Sequence, residues 1–132
     1  MNRVLVVEDE DDVRELLKTI LTGNGFEVFT ASSGEEALVK VGEVEPDLVV
    51  LDLVLPGLSG LEVCRLLKNK ESTRCVKVLF VSALDRDVDL RYAFEAGADG
   101  YLAKPFTVAE LLLSVDRVLA GEKFLKLSEA AE

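Results

Sequence analysis

A doubly wound α/β fold, with a five-stranded parallel sheet and helices on both faces, is the class this sequence predicts. Two observations carry it. Strand-sized apolar runs alternate with helix-period stretches along the chain, with little left over. The run LVVL at 48–51 is apolar at every position, as expected of a central parallel strand covered on both faces. At 132 residues, the chain has the length of one domain with a sizeable core.

The elements follow in order. VLVV at 4–7 is the first strand, and it stops at Glu8, Asp9, Glu10, Asp11 and Asp12. Val13, Leu16, Leu17, Ile20 and Leu21 are spaced as one face of a helix. Gly23, Asn24 and Gly25 end that helix. Residues 26–31 read as the second strand, and Ser33-Gly34-Glu35-Glu36 as a capping box opening a helix to about Val44. Pro46 and Asp47 break the chain before the third strand, at 48–51.

Ser59 and Glu62 form the next capping box, and Leu61, Leu66 and Leu67 supply apolar residues for its helix. Residues 76–81 are the fourth strand. A helix with Leu90, Ala93 and Phe94 inward follows and is stopped by Gly97. Residues 101–103 form a short fifth strand. Thr107 and Glu110 cap a last helix through Leu119, which Gly121 stops. The division is a folded domain over 1–121, with 122–132 a tail or the start of a linker. Crossovers should be right-handed.

Composition removes several function classes. The chain carries 25 Asp plus Glu against 15 Lys plus Arg, a net charge of -10, and no His. Without His there is no Ser-His-Asp triad, no His-ligated zinc and no phosphohistidine within this chain. The acidity disfavours direct nucleic-acid binding, which rests on cationic surface. Apolar runs are strand-sized, so no membrane span is expected, and no secretory signal pattern is evident. Cys64 and Cys75 make neither a C-x-x-C site nor a disulfide scaffold. The expectation is a cytoplasmic protein with reduced thiols.

In an open α/β sheet, ligands bind at the carboxyl ends of the strands. Glu8 and Asp9 follow the first strand, Asp52 the third, Ser82 and Ala83 the fourth, and Lys104 the fifth. Carboxylates gathered in one pocket repel unless a cation intervenes. Mg2+, which takes oxygen ligands and keeps several waters, suits them. Lys104 is placed to face the same anion. The set matches a phosphoryl-transfer site working by placement and electrostatics, with a carboxylate as nucleophile.

Four fragments, each at a strand end, carry a resemblance: VLVVEDE at 4–10, VVLDLVLPGLSG at 49–60, VSA at 81–83 and AGADGYLAKPF at 96–106. Over about residues 2–120 the chain resembles the receiver domains of two-component response regulators. The resemblance implies the flavodoxin-like strand order 2-1-3-4-5. It implies that Asp52 is the phosphoacceptor for a sensor histidine kinase or a histidine phosphotransfer protein. It makes Asp9 and Asp52 direct Mg2+ ligands, Glu8 a ligand through water, and Val54 a ligand through its backbone carbonyl. Ser82 and Lys104 would hold the phosphoryl group, and Tyr101 would be the aromatic switch coupling Ser82 to the face of helix four, strand five and helix five. The Lys104–Pro105 bond is expected to be cis.

Each residue also has a plainer reading. Glu10, Asp11 and Asp12 suit the dipole of the helix they precede. Taken singly, Ser82 is a cap, Tyr101 a core aromatic and Lys104 a loop lysine; their joint occurrence favours the site. A flavin-binding fold of the same layout would want a Gly- and hydroxyl-rich loop where EDEDD stands. A haloacid-dehalogenase-type phosphatase would want an acid where Val54 stands. The resemblance makes Val54 and Leu84 the positions that tune persistence of the phosphate; both are apolar and cannot orient an attacking water, which implies slower hydrolysis than in relatives with polar side chains there. Ser114 and Gly100 replace charged residues usual in the dimer face of receivers joined to winged-helix DNA-binding domains, which weakens the case for a phosphorylation-dependent homodimer of that kind. A stand-alone receiver and a receiver cut from a longer regulator with an output domain both stay open.

Overall fold

The computed structural model describes residues 2–127. Six strands form one parallel sheet: β1 (Arg3–Val7), β2 (Glu27–Ala31), β3 (Leu48–Leu51), β4 (Lys77–Ser82), β5 (Gly100–Ala103) and β6 (Phe124–Lys126). Their order is β2-β1-β3-β4-β5-β6, with every neighbouring pair parallel. The five expected strands stand in the expected order, and a sixth is added at the β5 edge. Of the segment 122–132, expected as tail or linker, Phe124–Lys126 thus folds onto the sheet; 128–132 lie outside the described residues.

Five helices connect the strands: α1 (Asp11–Thr22), α2 (Gly34–Val44), α3 (Gly60–Asn69), α4 (Asp87–Glu95) and α5 (Val108–Leu119). Alternation along each strand divides the core in two. Leu5, Val7, Val49, Leu51, Val78 and Phe80 face α2, α3 and α4, meeting Val41, Val63, Leu67 and Ala93. Val4, Val6, Leu48, Val50, Leu79 and Val81 face α1 and α5, meeting Leu17, Leu21, Leu111, Val115 and Val118. β3 is fully buried at all four positions, as its unbroken apolar run requires.

Leu16 and Leu66 depart from the expected inward faces, at 52% and 50% exposed. Each directly precedes the residue that enters the core, Leu17 or Leu67, and so points about 100° away around its helix. The caps differ in detail. Thr107 and Glu110 exchange both capping bonds, at 3.1 and 2.8 Å. Ser33 accepts from Glu36 N–H at 3.1 Å, but the Glu36 carboxylate turns one residue back, to Ser32 N–H at 2.7 Å. Ser59 accepts from Glu62 N–H at 3.3 Å, and its hydroxyl donates to Glu62 Oε1 at 3.2 Å.

Below the site edge, Asp99 ties α3 to the sheet. Its Oδ2 accepts from Lys68 Nζ and from Val78 N–H, both at 2.9 Å. Burial alone would raise the carboxyl; the two donors outweigh it and hold it below the ordinary carboxylate range. Asp99→Asn is therefore expected to cost about 2 kcal/mol at neutral pH, the scale of hydrogen bonds to a charged group. A depressed carboxylate stabilises above its unfolded pKa of about 3.9, and that contribution is lost as pH falls through the folded value. Urea melts of both proteins from pH 7 downward should show the gap closing in acid. A gap constant with pH would contradict the ion pair's part.

Candidate functional site

The register levels the carboxyl ends of the central strands: Val7 pairs with Leu51, and Leu51 with Phe80. The next residues along, Glu8 and Asp52, therefore emerge side by side. Both are buried, at 1% and 8% exposed. One further strand pair over, Ser82 lies opposite Ala103, so the chain leaves β5 into Lys104 at the same edge. The peptide bond between Lys104 and Pro105 is cis.

Lys104 is the centre of the cluster. Its Nζ donates to Glu8 Oε1 at 2.7 Å and to Asp52 Oδ2 at 2.9 Å. Burial would lower the ammonium's pKa, but the two carboxylates outweigh it and hold it above its usual value. Glu8 is raised too, for the opposite reason: burial pushes its carboxyl up, against the pull of Lys104. Buried charges are tolerated when paired and hydrogen-bonded, and the remaining oxygens have partners. Glu8 Oε2 accepts from Glu10 N–H at 3.3 Å, and Asp52 Oδ1 from Val54 N–H at 3.0 Å.

Asp9 follows at the rim, exposed to solvent, and the Val54 side chain is also exposed. Two buried acids share a single ammonium and a third acid stands at the rim, an excess of negative charge made of hard oxygen donors. That chemistry suits Mg2+, which is typically held by one or two carboxylates plus water and phosphate oxygens. Among the described residues, no three acidic, His or Cys side chains gather closely enough to enclose a metal by themselves.

Ser82 and Tyr101 are linked through one residue. Ser82, fully buried, accepts the Leu84 N–H at 3.3 Å. The Tyr101 hydroxyl donates to the Leu84 carbonyl. Its ring is wholly buried, tilted against Phe80 with centroids 6.3 Å apart. Burial pushes the phenol up to about 12. The Tyr101 side chain thus lies inside the core.

The structure brings Glu8, Asp52 and Lys104 into direct contact, leaves Asp9 at the rim, and joins Ser82 to Tyr101 by way of Leu84. Three supporting features were not read from the sequence. Arg14 donates to the Glu8 carbonyl at 2.9 Å, fixing the end of β1 from α1. Gly60 approaches the Asp52 backbone so closely that a Cβ would lie 2.0 Å from its carbonyl oxygen. The Asp52–Val54 bond is an Asx turn, which Asp at the start of a turn can signal.

Comparison with known proteins agrees with this fold. The family model for the response regulator receiver domain matches residues 4–116. The chain belongs to the response regulator receiver domain family. The receiver is 41% identical over 113 residues to the DNA-binding response regulator MtrA of Mycolicibacterium smegmatis, covering 86% of this chain and 48% of the relative. It is 37% identical over 130 residues to the phosphate regulon transcriptional regulatory protein PhoB of Klebsiella pneumoniae, covering 98% of this chain and 57% of that protein. The receiver spans about half the length of the curated relatives it matches.

Among solved structures, the receiver resembles the chemotaxis protein CheY4 of Vibrio cholerae with a TM-score of 0.85 at 29% identity, covering 89% of this chain and 98% of that one. It resembles a two-component response regulator of the LuxR family from an Aurantimonas species with a TM-score of 0.87 at 32% identity, covering 94% and 89%. No helix among the described residues is long and apolar enough to cross a membrane.

Proposed function

We propose that this receiver is a phosphorylation-controlled switch whose phosphoacceptor is Asp52. The observation that carries the reading is the buried Asp52 carboxylate, fixed by Lys104 at 2.9 Å beside Glu8 at the carboxyl edge of the sheet. Burying that acid at the end of an apolar strand is costly without partners, and Lys104 is the partner held ready here. These residues include no His, so a phosphohistidine donor lies outside them, on a sensor histidine kinase or a histidine phosphotransfer protein. An Asp52 oxygen forms the new P–O bond as the P–N bond breaks, and its electron pair stays on the imidazole nitrogen.

Asp9, Asp52 and the Val54 carbonyl would hold Mg2+, with Glu8 reaching it through water. When bound, the ion screens the charge of the transferring phosphoryl group. Lys104, already oriented by Glu8 and Asp52, stays in place to pair with the phosphoryl oxygens. With a small phosphodonor such as acetyl phosphate, labelling is expected with Mg2+ and lost on chelation by EDTA. Labelling unchanged by EDTA would contradict the metal's part.

The Ser82 hydroxyl is the mobile donor. Turning toward the phosphoryl group, it releases the Leu84 N–H, and Leu84 also accepts the Tyr101 hydroxyl. Two bonds on one residue thus couple the new charge to β5 and to the face shared with α4 and α5. The coupling is a population shift between two packings.

Val54 and Leu84 flank the pocket without a polar side-chain atom, so hydrolysis of the acyl phosphate is expected to be slow. Val54→Asn and Leu84→Glu should each speed the decay of label several-fold in a chase after donor removal. No acceleration in either would contradict the reading.

The partners are a cytoplasmic kinase or phosphotransfer protein and an output function. The relatives named as DNA-binding and transcriptional regulators support an output domain on the native chain. This domain's own charge of -10 argues against its touching nucleic acid directly. A phosphorylation-dependent homodimer would use the switch face.

A further inference from the structure

β6 does not continue the sheet by the usual rule. From β1 to β2 the chain steps one way along the sheet with α1 on one face; from β5 to β6 it steps the opposite way with α5 on that same face. The connections through α2, α3 and α4 step with β5-to-β6 but lie on the other face, so they share the hand of the α1 connection. The β5-α5-β6 crossover alone has the opposite hand. Parallel crossovers are right-handed in about 98% of cases, so β6 is not placed there by the geometry that built the other five strands.

Specific contacts hold it instead. Phe124 N–H donates to the Asp99 carbonyl at 3.2 Å. The Phe124 side chain packs into the α1–α5 core beside Gly100, where a Cβ would stand 2.7 Å from Val118 and 3.4 Å from Phe124. Lys123 Nζ donates to the Ala98 carbonyl at 3.0 Å and lies 3.6 Å from Asp99 Oδ1. Lys126 Nζ lies 3.8 Å from Glu110 Oε2. With Phe124–Lys126 displaced, the β5 edge would offer unpaired backbone, one aromatic-sized well and a carboxylate at each end.

We infer that the β5 edge is a strand-addition site for an extended partner segment of basic–aromatic–x–basic pattern, and that Phe124–Lys126 is a displaceable plug occupying it. Strand addition takes its affinity from backbone bonds and its specificity from alternate side-chain pockets, the two elements found here. A short strand with an exposed Leu125 belongs to the part of a fold that opens locally at low cost. The site is separate from the Asp52 pocket and stands whether or not Asp52 accepts phosphate.

The test titrates a labelled synthetic peptide of residues 121–127, in original and scrambled order, into the full chain by fluorescence anisotropy. A plug lowers apparent affinity by the fraction of time the edge is open. Phe124→Asp, and separately Phe124→Pro, should therefore bind the original peptide about ten-fold tighter than the unaltered chain, with the scrambled peptide bound by neither. Equal affinity for variant and unaltered chain, or equal binding of the scrambled peptide, would overturn the inference. So would variants that dimerise without taking peptide, since a second copy would then be the occupant. Hydrogen exchange on the unaltered chain needs no variant: Phe124–Lys126 amides should exchange far faster than those of Leu48–Leu51, and equal protection would show that no plug opens.

Discussion

Lys104→Met is expected to lower folding stability by about 3–5 kcal/mol at neutral pH, the cost of removing one partner from a buried charge cluster. The ammonium is the shared donor for Glu8 and Asp52, at 2.7 and 2.9 Å. Met keeps the apolar stem, so the loss reports the charge and not the packing. Two neighbouring buried carboxylates are left facing each other without a cation. Added Mg2+ should restore part of the loss, because a cation held by the same carboxylates replaces the missing positive charge. Denaturant melts with and without Mg2+ measure both effects. A loss under about 1 kcal/mol would mean that the cluster behaves as a solvated surface pair.

Gly60→Ala is expected to cost at least about 3 kcal/mol, at the upper end of overpacking effects. The added Cβ would stand 2.0 Å from the Asp52 carbonyl oxygen and 2.9 Å from the Leu53 Cα. Both neighbours are backbone, so neither can swing aside. Gly60 N–H also donates to the Leu53 carbonyl at 3.1 Å, which fixes the start of α3 against the loop carrying Asp52. Moving that loop shifts the nucleophile, and a displacement near 1 Å can cost on the order of 100-fold in rate. A thermal melt and the initial rate of phosphodonor labelling should fall together. Stability equal to that of the unaltered chain would contradict the close approach.

Much of this architecture was legible in residue order, because buried parallel strands and capped helices leave strong local signals. LVVL at 48–51 read as a doubly covered strand, and five acid, hydroxyl and lysine positions fell at strand ends. What sequence could not supply was the third dimension at those ends. Glu8 and Asp9 look equally placed at the end of the first strand, yet Glu8 is buried against Lys104 and Asp9 is exposed. Pleating and register separate them. Arg14 carries no signal of its own in the sequence; it braces the Glu8 carbonyl because the first turn of α1 returns it to the strand end. Phe124–Lys126 is too short for any periodicity to register, and the crossover that brings it to β5 has the disfavoured hand. Leu16 and Leu66 show the converse, where a helical stripe read one residue too wide.

The central claim, that Asp52 is the phosphoacceptor, is tested most directly by intact-protein mass measurement after incubation with acetyl phosphate and Mg2+. The unaltered chain should gain one phosphoryl group per molecule, sensitive to hydroxylamine as an acyl phosphate is, and Asp52→Asn should gain none. Stoichiometric labelling of Asp52→Asn would contradict the account.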